Sequence, residues 1–242
     1  AFDMGGTTAK LAVVDGGKPE VAYHFEAARE KRFAEGSGLP IRTSTIELIE
    51  IGAGGGSIAR LDEIGLLKVG PDSSGSDPGP AVYGLGGELP TVTDANFALG
   101  LLAPESFAGG AMRLDMAASA ASLERLAKAA GLTPPEIAAG IRDLVNETMA
   151  SAARVHIAER GKDPRRYSLL ATGGGGPLHG AEVARKLGLK RMISPASAGV
   201  ASAIGLLIAP ARADRVATIA KRMDQLDWQA FEATFAALTE SA

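Results

Sequence analysis

The sequence predicts an α/β fold, ordered as three strands, an irregular Gly/Pro-rich β stretch, helices, and then strand–helix–strand–helix. Three observations predict it. Short apolar runs with alternating polarity open the chain. Helical patterning takes over from residue 93, and the order strand–helix–strand–helix closes residues 167–208.

Residues 1–27 read as a strand ending at Asp3-Met4, a glycine turn, and two further strands. Leu11, Val13 and Val14 form the second; residues 21–25 form the third after the turn Asp15-Gly16-Gly17. Residues 28–45 are charged and irregular. A strand at 46–51 then enters Gly52-Ala53-Gly54-Gly55-Gly56-Ser57. Short strands at 58–61 and 66–69 precede a glycine- and proline-dense stretch, 70–90, of a length that is uncommon unless functional or disordered.

Asp94 is placed to cap a helix to 102, and Asp115 another to 130 that Gly131 ends. Thr133-Pro134-Pro135-Glu136 combines capping-box spacing with proline at the first helical position, and its helix reaches about 160. Residues 167–172 form a buried strand, 173–176 a run of glycines, 177–187 a helix, 191–194 a short strand and 197–208 another helix. An amphipathic helix starts at Trp228. No internal repeat is visible.

The 242 residues suffice for one large or two small domains. Hydrophobic residues make up 46%, and the net charge of −3 gives no nucleic-acid footprint and no basic membrane surface. The absence of cysteine excludes disulfides, thiolate metal sites and a cysteine nucleophile. No apolar run reaches membrane-spanning length, and Asp3 with Gly5-Gly6 interrupts any signal-peptide pattern. The chain opens as a strand already under way, without a methionine, so the expectation is a piece of a longer cytoplasmic protein.

Two glycine turns carry the chemistry. In Asp3-Met4-Gly5-Gly6-Thr7-Thr8 a strand delivers an acid, and two glycines let backbone amides come close to a ligand. Amide donors beside threonine hydroxyls suit phosphate oxygens, Asp3 suits a magnesium ion, and Lys10 adds a point charge. A plain hairpin with a solvated aspartate is the competing reading. The second turn, Gly173, Gly174, Gly175 and Gly176, lies between a strand and a helix, where α/β folds place ligands. Its backbone offers a surface for a flat ring or sugar; close helix–strand packing is the alternative, although that asks for fewer glycines. His179 in the next helical turn either faces a ligand or is structural.

The chain lacks G-x-x-x-x-G-K-[ST] and is not a P-loop protein. Gly54 to Ala59 satisfies the dinucleotide fingerprint G-x-G-x-x-A, but Gly65 follows too soon for the helix that fingerprint requires.

A strand–Asp-x-Gly-Gly-Thr–strand unit paired with a later strand–Gly-Gly–helix unit resembles the actin, Hsp70 and sugar-kinase superfamily, whose lobes are RNase H-like, a mixed sheet flanked by helices. Within it, IGAGGGSIARLDEIGLLKVGPDSSGSDPGPAVYGLGGELPTVTDANFALG (51–100) and ATGGGGPLHGAEVARKLGL (171–189) resemble the hydantoinase A/5-oxoprolinase family. FDMGGTTAKLAVV (2–14) and FAEGSGLPIR (33–42) are similar to its ATP-hydrolysing N-methylhydantoinase A branch. The likeness runs to about Arg215. Ser74 and Ser76 stand where the family usually has alanine, and Val82 where it often has cysteine.

The resemblance implies an ATP-dependent opening of a cyclic amide such as hydantoin or N-methylhydantoin, with the carbonyl activated by phosphorylation. The 5-oxoprolinases and the acetone- and acetophenone-type carboxylases are the alternatives, and a non-enzymatic binding module is a third. It further implies ATP and Mg2+ (or another divalent metal) as cofactors, a hydantoinase B-type subunit, and an N-terminal lobe of the same protein as partner. Residues 1–242 would be the C-terminal ATPase lobe. Within it, 46–93 would be the family-specific insertion, 94–215 the helical and adenosine-side part, and 216–242 the start of a further segment. One lobe offers half a cleft, so the isolated chain is expected to bind nucleotide weakly without turnover.

On this reading Asp3 is the metal-linked acid beside the γ-phosphate, and Gly5, Gly6, Thr7, Thr8 and Lys10 form the phosphate cradle. Residues 173–176 and His179 lie on the adenosine side. Asp77, in a proline-stiffened loop, is either turned toward substrate, metal or partner or caps its own loop. Asp94 is a helix cap rather than a base, and Asn96 is free to face a ligand. His24 is expected on a sheet surface and His156 on a solvated or lobe-facing helix surface; three scattered histidines give no metal spacing. Asn146-Glu147-Thr148 is a chance sequon inside a helix.

Overall fold

The computed structural model describes residues 1–23, 25–27 and 38–242; His24 and residues 28–37, including the start of the FAEGSGLPIR motif, lie outside the described residues. The strands are β1 (Phe2–Met4), β2 (Ala9–Leu11), β3 (Val14–Asp15), β4 (Lys18–Pro19), β5 (Val21–Ala22), β6 (Phe25–Ala27), β7 (Leu39–Ile41), β8 (Thr45–Ile46), β9 (Ile49–Ile51), β10 (Ser57–Leu61), β11 (Leu67–Ser73), β12 (Leu169–Thr172) and β13 (Met192–Ile193). The α-helices are α1 (Val92–Ala98), α2 (Met116–Ala130), α3 (Pro134–Ala158), α4 (Gly176–Lys186), α5 (Ala201–Ile208) and α6 (Trp228–Ser241).

The main sheet has the order β13-β12-β1-β2-β9. β1, β12 and β13 run parallel, and β2 is antiparallel to both β1 and β9. Renumbered along the chain, the five strands lie 3-2-1-4-5 with only the second reversed, the RNase H-like arrangement that the resemblance implies. The register aligns Phe2 with Leu11 and Ala171, and Asp3 with Lys10 and Thr172. Because side chains alternate along a strand, one face carries Phe2, Met4, Ala9, Leu11, Ile51, Leu169 and Ala171, all buried. The other face carries the polar row Thr172, Asp3, Lys10 and Glu50.

The apolar face meets the helices in one core. Leu123 of α2, Ile137, Ile141, Val145 and Met149 of α3, and Val183 of α4 are each no more than 1% exposed. Burying side chains of this size contributes about 2 kcal/mol each. The apolar stripe of α3 recurs every four residues, as a helix facing one layer requires. Its 25 residues span roughly 37 Å. Pro134 opens it, and the Glu136 carboxylate accepts from the Thr133 amide at 2.8 Å and hydroxyl at 2.7 Å. Gly161 follows its end with φ +64°, in the left-handed region that favours glycine.

Several expected boundaries move. Residues 46–51 form two short strands rather than one. α1 begins at Val92 with Thr91 as its N-cap, and Asp94 occupies the third helical position of a capping box. Residues 197–208 begin as a 3-10 turn, Ala198–Val200, before α5. The interior of 70–90 is ordered by turns, including a 3-10 turn at Ala81–Tyr83.

The chain divides into two units, Ala1–Val21 with Ile46–Ile204, and Ala22–Thr45 with Gly205–Ala242. The first contains the main sheet, its core and the glycine turns. The second contains the β6–β7 pair and α6, whose first turn is capped by the Asp227 carboxylate. No helix among the described residues is long and apolar enough to cross a membrane.

Candidate functional site

β1 and β12 are parallel neighbours, and each ends in a glycine turn. At the first, the Gly5 amide donates to the Thr8 carbonyl at 3.0 Å, closing a tight turn into β2; Gly6 and Thr7 are exposed. At the second, the Gly175 amide donates to the Met4 carbonyl at 2.9 Å, tying the two turns together directly. Gly173 has φ +80°, and an added Cβ would lie 2.4 Å from the Met4 carbonyl oxygen, so only glycine lets the second turn approach β1 this closely. Gly174 is exposed, and an added Cβ there would meet open space. Gly176 is buried at the start of α4.

Asp3 lies between the turns, half-buried at the centre of the polar row. Its Oδ2 accepts from Thr172 Oγ1 at 2.8 Å and from Ser202 Oγ at 3.2 Å. Among the described residues Oδ1 accepts no hydrogen bond, so the carboxylate is oriented on one oxygen and open on the other. Lys10 Nζ pairs with Glu50 at 3.3 Å and donates to Thr8 Oγ1 at 3.0 Å. It therefore stands beside the first turn already shared between two partners.

A third glycine segment backs the first turn. The amides of Gly55 and Gly56 donate to the carbonyls of Gly5 and Gly6 at 3.1 and 2.6 Å. A Cβ on Gly54 would lie 2.6 Å from the Gly6 carbonyl oxygen. The Gly55 carbonyl in turn accepts from the Thr93 amide at 2.8 Å and Thr93 Oγ1 at 2.9 Å. The Gly52–Ser57 cluster is thus the seat of the first glycine turn, and the failed dinucleotide match has a packing cause. The Ser74 amide donates to the Gly56 carbonyl at 2.9 Å, which brings the 74–79 loop alongside. Asp77 is exposed on that loop, and among the described residues its carboxylate accepts no hydrogen bond. It does not cap its own loop.

Asp94 is fully buried and structural. It accepts from the amides of Val82 at 2.8 Å, Thr91 at 2.9 Å and Ala81 at 3.3 Å, and from Thr91 Oγ1 at 2.7 Å. His156 is buried too, rather than solvated, with Nδ1 3.0 Å from Arg160, and burial pushes its pKa down.

His179 is 1% exposed, and its amide donates to the Gly175 carbonyl at 3.1 Å. Its Nδ1 is 2.7 Å from Asn146 Oδ1 and its Nε2 3.0 Å from Asn96 Nδ2. An amide oxygen on one side and an amide nitrogen on the other match a neutral ring protonated at Nδ1. Burial, with the Arg142 charge as the lesser cause, pushes its pKa down to about 4. Asn96 is committed to this ring.

Sequence reasoning missed Thr172, Ser202, Thr93 and the backing role of Gly54, Gly55 and Gly56. Thr172 left one signal, since it ends the strand that feeds the second glycine turn. Ser202 left none.

Residues 1–215 match the family model described as hydantoinase/oxoprolinase. An uncharacterized protein of Methanocaldococcus jannaschii is 44% identical over 99% of this chain and 35% of its own length. The caprolactamase subunit alpha of Pseudomonas jessenii is 39% identical over 92% of this chain and 31% of its own. The crystal structure of that ATP-dependent caprolactamase superposes with a TM-score of 0.78 at 36% identity, covering 99% of this chain and 34% of the other. Nucleotide-free acetone carboxylase, from work on ATP-dependent acetone carboxylation, superposes at 0.73 with 30% identity, covering 84% and 28%. The chain spans about a third of the length of these relatives. Motifs, sheet order and comparisons agree: the chain belongs to the hydantoinase/oxoprolinase family.

Proposed function

We propose that this chain is the nucleotide-binding part of an ATP-dependent cyclic-amide hydrolase. The observation that carries the reading is the pair of glycine turns at the ends of neighbouring parallel strands, with a half-open carboxylate, Asp3, between them. Exposed glycine backbone beside a carboxylate suits a nucleotide's phosphates together with a cation. Gly5, Gly6, Thr7 and Thr8 would hold the phosphates with Lys10 as an adjacent charge. Residues 173–176 would present bare backbone to the adenosine.

The residues fit magnesium. Among the described residues no group of three or more His, Cys, Asp or Glu gathers into a metal cage. Nucleotide-bound magnesium needs only one or two carboxylates, with phosphate and water completing its shell. Asp3, oriented by Thr172 and Ser202, would be that carboxylate. Magnesium would supply charge neutralisation at the γ-phosphate.

In the whole protein, transfer of the γ-phosphoryl group to the amide oxygen would turn the ring carbonyl carbon into an electrophile. Water would add there and the ring C–N bond would break, releasing the amine and leaving an acyl phosphate, and a second water would cleave that to carboxylate and inorganic phosphate. Asp77, exposed on the loop beside Gly56, is assigned to the substrate side. The opening motif favours the hydantoin and N-methylhydantoin branch, and the caprolactamase relative supports a cyclic amide more broadly. Residues 46–93 serve as the family insertion, 94–215 as the adenosine side and 216–242 as the start of a further segment. A further lobe of the same protein and a hydantoinase B-type subunit complete the cytoplasmic enzyme. The acetone carboxylase likeness supports a second reading, ATP-dependent phosphorylation in a carboxylase.

The test assays the whole protein with its partner for ATP hydrolysis on hydantoin, N-methylhydantoin, 5-oxoproline, caprolactam and acetophenone. Ring opening coupled to ATP hydrolysis is expected, and Asp3→Asn should lower it by about 100-fold or more at unchanged thermal stability. Response to acetophenone and bicarbonate alone selects the carboxylase reading. Unchanged turnover in Asp3→Asn removes Asp3 from the site. The isolated 242-residue chain should bind ATP weakly and leave hydantoins intact.

A further inference from the structure

The two glycine turns meet where the paired strands β1 and β12 end: the Gly175 amide donates to the Met4 carbonyl, and Gly173 packs against the Met4 backbone. A second, longer connection runs through the core. From the first turn it passes from Gly5 to Gly55, from Gly55 to Thr93, and along α1 to Asn96. From Asn96 it crosses the His179 ring to α4, the helix that the second turn opens, and Asn146 anchors the far side of the ring on α3.

The three polar side chains at its centre are buried: Asn96 is 2% exposed, Asn146 is fully buried and His179 is 1% exposed. Among the described residues, the second polar atom of each amide, Asn96 Oδ1 and Asn146 Nδ2, is buried without a partner. Half-satisfied amides in a core are costly, and three hydrophobic side chains would pack there without that penalty. Such an arrangement is retained where it specifies geometry rather than stability alone.

We propose that His179 is a positioning residue. Bonded to Asn96 and Asn146, it sets the nucleoside-side turn at 173–176 at a fixed separation from the phosphate-side turn at Gly5-Gly6. This rests on the nucleotide reading above and deepens it: the ring is buried with both nitrogens bonded, and acts through α4. A ligand that occupies both turns at once depends on that separation. A ligand that occupies one turn does not.

Calorimetric titrations of the whole protein compare ADP, which spans both turns, with adenosine and inorganic tripolyphosphate, which each occupy one. His179→Leu removes both hydrogen bonds at similar volume. His179→Gln keeps an acceptor for Asn96. His179→Leu is expected to weaken ADP by about tenfold, the size of one lost buried hydrogen bond, and to leave the two fragments within twofold. His179→Gln should recover most of the ADP affinity, and it is the variant to read if His179→Leu does not fold. Equal weakening of ADP and fragments would reduce His179 to a fold-stabilising residue and overturn the proposal. Unchanged ADP affinity in both variants would overturn it as well. If the unaltered protein binds none of the three ligands, the nucleotide reading fails and this one falls with it.

Discussion

Gly173 and Gly174 are adjacent and chemically identical, yet the chain asks different things of them. At Gly173 the backbone sits at φ +80° and a Cβ would collide with the Met4 carbonyl. Gly173→Ala should therefore lower unfolding free energy by at least about 2 kcal/mol, read from urea melts. Gly174→Ala meets nothing within 4 Å and should change stability by less than about 0.5 kcal/mol. On the proposed nucleotide reading, its effect would fall on ligand affinity instead. Equal effects of the two on stability would mean that the turn is not pressed against β1. His179 adds a pH dependence of definite sign. Its folded pKa of about 4 lies below the ordinary 6.5, so below pH 6.5 the unfolded ring takes up a proton that the folded ring refuses. Stability from this group is complete above about pH 6.5 and is lost as pH falls toward 4, a total of about 3 kcal/mol. Urea melts at pH 7 and pH 4.5 should show this loss in the unaltered protein and a smaller one in His179→Leu.

Among the elements, α1 is short, and its tertiary hydrogen bonds hold it where intrinsic propensity would not. Asp94 caps its first turn and also collects the Ala81 and Val82 amides of the preceding 3-10 turn. Asp94→Ala leaves buried donors without a partner and should cost roughly 3–5 kcal/mol by thermal or urea unfolding. A loss near 1 kcal/mol would make it an ordinary cap. Caps of this kind were legible in the chain because they are local: Asp115 and Gly131 bound α2, and Glu136 lies three residues after Thr133. What was not legible is contact between segments far apart in sequence and made by backbone. Gly54, Gly55 and Gly56 present no side chain to hint that Gly5-Gly6 rests on them. His179 and Asn146 show the other limit. A polar residue in the stripe that holds Val145 and Met149 marks a buried site, but its partner is set by how α3, α4 and α1 pack.

At the scale of the molecule, the two glycine turns were readable as a pair because both follow strands, and the RNase H-like order makes those strands neighbours. Asp3 and the turns stand together as the sequence implies. Asp77 joins them only as the near loop beside Gly56, and His179 lies beneath them. The second unit, Ala22–Thr45 with Gly205–Ala242, takes in the charged stretch 28–45, but nothing in composition pairs that stretch with the C-terminal one.

The polar row across the sheet has a consequence for ions. Lys10 sits between Asp3 and Glu50 in register and pairs with Glu50, so one cation faces two carboxylates and the row is net negative. A polyanion approaching it bare is repelled, and the site should discriminate against nucleotide that arrives without a counterion. Glu50→Gln frees Lys10 and removes one of the two negative charges. ADP affinity measured in EDTA should then rise several-fold while affinity in excess magnesium changes little, narrowing the gap between the two conditions. An unchanged gap would show that Glu50 takes no part in making the nucleotide wait for its metal.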